Sequence, residues 1–342
     1  MIRSNGRLAK TQRRSTIGGD TFVPTANNTI FEQTMNDQKR IALDVISEAC
    51  ETYACKKVYA LFSGGDDSTA SLRVAVEHPN FVAAVTMITG VGVEASLLYA
   101  RETCHKLRCP LIEYHAVDNV QADGKPDPMI YEQIVMEYGF PGPTKFGHGK
   151  MYIQLKDRGI ARLLREQTDR KENVVLASGC RSDESVRRMG TTKRIQQGVI
   201  SKDGKVTEKR RIWVNHIHDW TKTDTYKFRE SNGIERNPVA RLICKSGECL
   251  CGGFGNEGEL EELCMHDLTR PLGQRLLDLE RRVIAAGFPW KWHERPPKWY
   301  LESKHGQRFL FEMSKYPEAG PMCQGCERQA EDLELINEGT PR

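Results

Sequence analysis

The chain has 342 residues and a net charge of +4, with 50 Lys and Arg against 46 Asp and Glu. That length can bury a full core without disulfide or metal staples, and so mild a charge does not by itself argue for a nucleic-acid partner. Eleven cysteines, an odd count without an apolar leader, speak against a secreted disulfide framework, and no run of about 18 apolar residues suggests a membrane helix. The expectation is a soluble cytoplasmic protein with no membrane partner and with reduced or metal-bound thiols.

Residues 1–35 are polar, with Arg3, Arg7, Lys10, Arg13 and Arg14 clustered and no sustained periodicity, and read as a basic tail, either solvated or contacting nucleic acid. From Asp37 to about Tyr53 the apolar residues Ile41, Ala42, Val45, Ile46 and Ala49 recur at helical spacing. Strand and helix patterns then alternate: "KVYALF" a strand, a helix from Ser68, "FVAAVTMI" a strand, "EASLLYARETCHKL" a helix, "CPLIEYHAV" a strand, "YIQLKDRGIARLLREQ" a helix and "NVVLAS" a strand. Alternation of this kind predicts an α/β fold, a parallel sheet wrapped by helices. Two alternating runs around "KDGK" predict a hairpin, and "TKTDTYKFRESNG" a short helix ending at glycine. From Asn237 the chain turns rich in Cys, Gly, Trp and Pro, which suggests a nucleotide-binding domain over 36–236 and a cysteine-rich region over 237–342.

Between the first strand and its helix stands Ser63-Gly64-Gly65-Asp66-Asp67-Ser68-Thr69. Glycines at a strand's carboxyl end let backbone NH groups approach an anion, the hydroxyls add donors and the helix start adds a positive dipole end. The two aspartates oppose this. A carboxylate about 4 Å from a phosphate charge costs on the order of 4 kcal/mol at an effective dielectric of about 20. A helix dipole returns only about 0.3–2 kcal/mol. Either a divalent cation such as Mg²⁺ bridges carboxylate and phosphate, or one acid points away.

This loop resembles the pyrophosphate loop of the adenine-nucleotide alpha hydrolase (PP-loop) superfamily, in which Asp67 occupies the recurrent acidic position and Asp66 a variable one. Downstream, "ITGVGVEASLLYARE" places Gly90 in a turn after the second strand and Glu94 at a helix start. The run Gly179-Cys180-Arg181-Ser182-Asp183-Glu184-Ser185, with Arg187 and Arg188 after it, is similar to the second nucleotide-binding motif of the phosphoadenosine phosphosulfate (PAPS) reductase family. "HDWTKTDTYKFRESNGIERNPV" resembles that family's later Trp-Thr, helix and Asn-Pro segment. Together these cover roughly residues 55–243. The resemblance implies a Rossmann-like PP-loop domain that binds ATP or PAPS with Mg²⁺ through Ser63, Gly64, Gly65, Asp66, Ser68, Thr69, Gly90, Glu94, Gly179 and Glu184. Asp67, Arg181 and Arg188 are the candidate catalytic residues. Arg187, Lys193 and Arg194 extend a possible cationic wall, although Glu184 could instead pair with Arg187 and Arg188 along a solvated helix face.

Cys244, Cys249, Cys251 and Cys264 lie among Gly, Glu and Lys, as metal ligands do more often than core cysteines. They suit an iron-sulfur cluster or, alternatively, zinc, with Cys323 and Cys326 of "CQGC" as further candidates. Cys50, Cys55, Cys104, Cys109 and Cys180 read as packing residues. His148, in a glycine-rich stretch with Lys145, Lys150 and Lys156, is either a substrate contact or a surface histidine. "GFPWKWHERPPKWY" interleaves Trp290, Trp292, Trp299 and Tyr300 with cations and is either a stacking surface for single-stranded nucleic acid or buried packing.

A cysteine cluster directly after the Asn-Pro segment is similar to that of the ATPase of DNA phosphorothioation systems and of phage-type PAPS reductase-like proteins. The resemblance implies cleavage of ATP to AMP and pyrophosphate, an adenylated acceptor, and sulfur transfer with an iron-sulfur centre. The implied partners are an adenine nucleotide, a nucleic-acid substrate and a sulfur-donor protein. Sulfonucleotide reduction is the first rival, although the reductases' Glu-Cys-Gly-Leu-His-like tail and adjacent Cys-Cys pair are missing. A module that binds nucleotide or nucleic acid without turnover is the second.

Overall fold

A computed structural model describes residues 26–116, 130–142, 145–184, 192–200, 205–314 and Met322. Helix α1 (Ala26–Thr52) begins well before Asp37, so part of the stretch read as tail is helical. Strand β1 (Val58–Leu61) leads into α2 (Asp66–Ala75), β2 (Phe81–Ile88) into α3 (Glu94–Lys106), and β3 (Leu111–His115) follows. Next come α4 (Ile130–Tyr138), α5 (Lys145–Tyr152), a π-helical turn at Ile153–Asp157, α6 (Arg158–Gln167) and β4 (Val174–Ala177). The hairpin strands β5 (Ile195–Ile200) and β6 (Val206–Val214) precede α7 (Lys222–Ser231) and α8 (Pro238–Ile243). After these come α9 (Glu259–Met265), α10 (Arg270–Ala285), α11 (Lys298–Glu302) and α12 (Lys304–Ser314), the last helix among the described residues.

The six strands form one sheet in the order β3-β2-β1-β4-β6-β5. All neighbours pair in parallel except β5 with β6. This is the α/β architecture that the alternating patterns predict. The order reverses between β1 and β4, and ligands of open parallel sheets sit at the carboxyl ends of strands beside such a switch point. β1 and β4 are almost wholly buried, as four-residue apolar strands in the middle of a covered sheet must be.

One side of the sheet packs on α1, α2 and α3 through Ile46, Leu72 and Tyr99. Ile160, Leu163 and Trp213 fill the other. A separate cluster joins Val91, Val93, Tyr131 and Phe140 to Leu250, Leu276, Trp290 and Trp292, so one core spans both sides of residue 237. Among the described residues no helix is long and apolar enough to cross a membrane.

Candidate nucleotide site

The glycine turn runs from β1 into α2. Gly64 has φ +75° and its carbonyl accepts a 2.9 Å hydrogen bond from Asn237 Nδ2. The sequence suggests the same freedom for Gly65, but Gly65 is extended at φ −77°; a Cβ there would stand 3.2 Å from Ser246 Cβ. Ser63 Oγ donates to Ser68 Oγ (3.1 Å), while Ser68 Oγ and Thr69 Oγ1 donate to the Gly65 carbonyl (3.0 and 2.8 Å). The hydroxyls therefore shape the loop. Helical bonding begins with Thr69 NH on Gly65 O, so the NH groups of Asp66, Asp67 and Ser68 are the helix-start donors that an anion would meet.

The two acids take different directions. Asp66 is buried and faces α7 and the segment after it. Arg236 Nη2 lies 2.9 Å from its carboxylate, Arg229 Nη1 3.3 Å and Lys222 Nζ 3.8 Å. The Tyr226 ring lies among the same three cations, 5.0–5.5 Å from each. Asp67 turns to Arg181, whose Nε is 3.0 Å from Oδ1. That approach is a charge contact, not an aligned hydrogen bond, and Asp67 Oδ1 is a buried oxygen without one. Burial pushes the Asp67 carboxyl up, but Lys222 and Arg181 outweigh it and hold the group below its ordinary range. Both acids thus meet cations of the chain itself, and the charge conflict in the sequence is resolved mainly by Asp66 facing Arg236.

β4 supplies the facing wall. A Cβ on Gly179 would come within 2.7 Å of the Asp67 carbonyl and the Ser68 nitrogen, so the turn after β4 lies directly on the start of α2. Arg181 is fully buried and pairs with Asp67 and Asp183. Glu184 ends a 3₁₀ turn that starts at Ser182. Arg187 and Arg188 lie outside the described residues.

Beside the loop is a cavity of about 210 Å³, lined by Ser63, Thr86–Gly90, Gly92–Glu94, Ser96, Leu97 and Glu248. Gly90 and Glu94, far from the glycine loop in sequence, share this cavity with Ser63. Whole ligand pockets begin at about 300 Å³, so the space suits a heterocycle and not a whole nucleotide. The cysteine-bearing loop closes it: Ser96 Oγ donates to Ser246 O (2.7 Å), Val93 NH to Gly247 O (2.7 Å), Thr89 Oγ1 to Glu248 O (3.0 Å) and Leu250 NH to Val91 O (2.8 Å). Asn237 caps α8 and binds both loops, donating to Gly64 O and Ser246 O (3.2 Å).

Within that loop the Cys249 thiol holds Cys251 well below the ordinary thiol range, against burial and with His148 assisting. His148 is buried and stacks edge-on against Phe254 at 4.6 Å, so it is neither a surface histidine nor open to the cavity. Cys244 is buried at the end of α8. Cys264 sits on α9 against Gly273, with Glu261 and Arg270 as its charged neighbours. Among the described residues no three His, Cys, Asp or Glu side chains gather as a metal ion requires, so Cys244, Cys249, Cys251 and Cys264 are not assembled as one ligand set. Cys323 and Cys326 lie outside the described residues. For Mg²⁺ the carboxylate at the loop is that of Asp67, but its Oδ1 is buried and already faces Arg181 Nε at 3.0 Å, so an ion there would have to displace that contact.

Of the alternatives for the tryptophan segment, packing holds for two members. Trp290 and Trp292 are buried, with their indole NH groups on Phe140 O (3.0 Å) and Leu250 O (3.1 Å), whereas Trp299 is exposed. Cys50, Cys55, Cys104 and Cys180 are buried and Cys109 half-buried, as packing residues would be. Lys222, Arg229 and Arg236 are not singled out by the sequence, and Asn237 enters it only as the Asn of the Asn-Pro segment and as a boundary. Lys222 and Arg229, seven apart on one helix, share a face, and that spacing was the available signal.

No protein-family profile matches the sequence, and no curated protein does. Solved structures give distant likenesses. The phosphoadenylyl-sulfate (PAPS) reductase of Candida auris, in a phosphate complex, is 12% identical over 65% of this chain and 93% of its own, with a TM-score of 0.39. The NMN synthetase of Francisella tularensis is 11% identical over 76% of this chain and 92% of its own, with a TM-score of 0.41. The U34-tRNA thiolase NcsA of Methanococcus maripaludis, with its 4Fe–4S cluster, is 12% identical over 91% of this chain and 89% of its own, with a TM-score of 0.40. Likenesses this distant say nothing about what this chain binds.

Proposed function

We propose that the chain is a PP-loop, PAPS reductase-like enzyme that binds an adenine nucleotide and cleaves ATP between its α- and β-phosphates. The observation that supports this best is that the Gly179 turn packs on the start of α2 in the Ser63–Thr69 turn, whose Ser63 lines one cavity with Gly90 and Glu94. In this reading the base enters the cavity between Thr86 and Glu94, and the phosphates meet the NH groups of Asp66, Asp67 and Ser68. If Mg²⁺ accompanies the nucleotide, Asp67 is the carboxylate at the loop that would hold it, in exchange for its contact with Arg181. An acceptor oxygen attacks the α-phosphorus, the bond to the bridging oxygen breaks, and pyrophosphate leaves with the electron pair. Lys222, Arg229 and Arg236 add positive charge where pyrophosphate develops, an electrostatic aid that preorganised groups give without reorganisation. A sulfide-level nucleophile from a donor then attacks the atom bearing the adenylated oxygen, the carbon of a base carbonyl or the phosphorus of a nucleic-acid phosphate; its bond to that oxygen breaks, and AMP departs carrying the oxygen and the electron pair.

The Cys249–Cys251 pair beside the cavity favours sulfur chemistry over simple nucleotide hydrolysis. An iron-sulfur or zinc centre remains part of the proposal, but no step is routed through it because the described cysteines do not form a complete ligand set.

The test is pyrophosphate release from ATP by anaerobically purified full-length protein, with nucleic-acid and small-molecule acceptors, beside sulfite release from PAPS and iron and zinc analysis. Pyrophosphate with no sulfite is expected, and Asp67→Ala should lower the rate at least 100-fold, about 2.7 kcal/mol of barrier. Sulfite release, or unchanged turnover in Asp67→Ala, overturns the reading.

A further inference from the structure

The β5–β6 hairpin carries an irregularity that the site above does not use. Gln197 pairs with Ile212 and Val199 with Thr207, so a single β5 residue, Gly198, lies opposite four of β6, Glu208–Arg211. Gly198 and Glu208 both have left-handed backbone, at φ 59° and 51°. A Cβ on Gly198 would stand 2.0 Å from Thr207 O, which fixes glycine opposite the bulge. Bulges re-aim side chains, and the residues re-aimed here are Glu-Lys-Arg-Arg.

β4 pairs with β6 from Val174 and Arg211 onward, so the bulge lies at the amino end of β4, the opposite end of the sheet from the glycine loop. There it faces the carboxyl end of α6 and the turn after it. Between them is an open groove of about 500 Å³ whose lining includes Arg165, Thr168, Arg170, Lys209 and Arg210.

The charges in this groove are unevenly paired. Arg211 is buried between Asp157 (2.5 Å) and Glu208 (3.4 Å), two acids for one cation, so Glu208, which also lines the groove, offsets one of its positive charges. Arg210 is fixed by neutral oxygens only, donating Nε to Glu172 O (3.0 Å) and Nη2 to Thr168 Oγ1 and Asp169 O (both 2.5 Å). The Glu172 carboxylate is taken by Lys57 at 3.1 Å. Arg165, Arg170 and Lys209 are exposed, and none of them has a carboxylate within ion-pair distance among the described residues. The remaining acid at the rim is Asp169, also exposed.

Cations at a helix carboxyl end gain about 0.3–1 kcal/mol from the macrodipole, which accounts for Arg210 and for Lys57 Nζ on Gln167 O (2.8 Å). It also covers Arg165, in the last turn of α6, but not Arg170 and Lys209, or the bulge that brings Lys209 to the groove. Cations spread along an open groove around one pre-set guanidinium match a chain of phosphates better than a single small anion. We propose that this groove docks the phosphate backbone of a nucleic acid. The inference rests on residues at the far end of the sheet and stands whatever the glycine loop does.

The experiment uses the full chain and a fluorescein-labelled RNA of roughly 20 nucleotides, with DNA of the same length as a second probe, followed by anisotropy over a series of NaCl concentrations. The comparison is with Arg165→Ala/Arg170→Ala/Lys209→Ala and with the charge-conserving pair Arg165→Lys/Arg170→Lys. The alanine variant should bind at least about tenfold more weakly, and its salt slope should fall by about 2, since each phosphate contact with a single strand contributes about 0.7. The lysine variant should retain most of the affinity, and ATP binding should be unchanged in both. Equal affinity and slope in the alanine variant overturns the proposal, as does an equal loss in the lysine variant. Poly-glutamate that displaces the RNA at equal charge concentration also overturns it, by assigning the groove to acidic proteins.

Discussion

At the scale of single residues, the adjacent aspartates of the glycine loop do different work. Asp66 is surrounded by Arg236, Arg229 and Lys222, all largely buried with it. Removing one member of a buried ion pair costs about 3–5 kcal/mol, because the partner is left charged and desolvated. Asp66→Asn should therefore lower stability by roughly 3 kcal/mol in urea unfolding. Adding Arg236→Gln should recover part of that loss, and a double variant no better than the single one would show that this pairing is not the origin. The sequence displays the two acids but not their partners, since Arg236 is 170 residues away and only the folded sheet brings it to the loop. A second group acts through pH. Burial pushes the His216 imidazole down to about 4, with Nε2 3.1 Å from Ser71 O beneath α2. In the unfolded chain a histidine takes up its proton near pH 6.5, so between about 6.5 and 4 the unfolded state binds more protons. Stability from this group is complete above about pH 6.5 and falls by roughly 3 kcal/mol on acidification to about 4. His78, also lowered by burial, acts in the same direction. Asp67, whose pKa is depressed, loses its contribution only at more acid pH, below the ordinary carboxylate range. In His216→Gln, unfolding free energies at pH 7 and pH 4.5 should differ by less than in the parent chain. An unchanged difference would mean that the loss lies elsewhere.

At the scale of elements, the alternating strands and helices were legible because each carries its own period. β2 occupies the whole of "FVAAVTMI", and β1 and β4 fall inside their apolar runs. The predicted helix 152–167 is instead α5, a π-helical turn and α6 in succession. The apolar pattern gives no sign of the wider turn. The reason for it is tertiary, since Lys156 in that turn is buried and its Nζ reaches Glu248 at 2.6 Å. The hairpin was visible from Asp-Gly, but its four-residue bulge was not, because register depends on a partner strand. Contact between turns is equally hidden. Gly179→Ala would press a methyl into the backbone at Asp67 and Ser68, which cannot give as a flexible side-chain tip would. Overpacking of this kind costs about 1–3 kcal/mol. Because it displaces the helix start, ATP affinity measured by calorimetry should fall at least about tenfold while the chain remains folded. Unchanged affinity would mean that the start of α2 does not receive the nucleotide.

At the scale of the whole molecule, the change in composition at Asn237 marks the point where the chain returns to the site. Asn237 itself, with its amide on Gly64 O and Ser246 O, ties the glycine loop to the cysteine loop. The cluster of Val91, Val93, Tyr131, Val135 and Phe140 is completed by Leu250, Leu276, Trp290 and Trp292 from beyond it. Composition reports what a segment contains and not what it packs on, so a cysteine-rich stretch reads as a region of its own even where its tryptophans complete a shared core. The consequence is measurable. A fragment ending at residue 236 would expose those five side chains, and a buried apolar side chain contributes about 1.5–3 kcal/mol. Their sum is comparable with the whole stability of an ordinary domain, about 5–15 kcal/mol. The fragment should fail to give a cooperative thermal transition and should aggregate on size exclusion, while the full chain runs as a folded species. A monomeric fragment with a sharp transition would show that the phosphate-loop half folds alone, and the cysteine loop would then be an attachment to the site and not part of its frame.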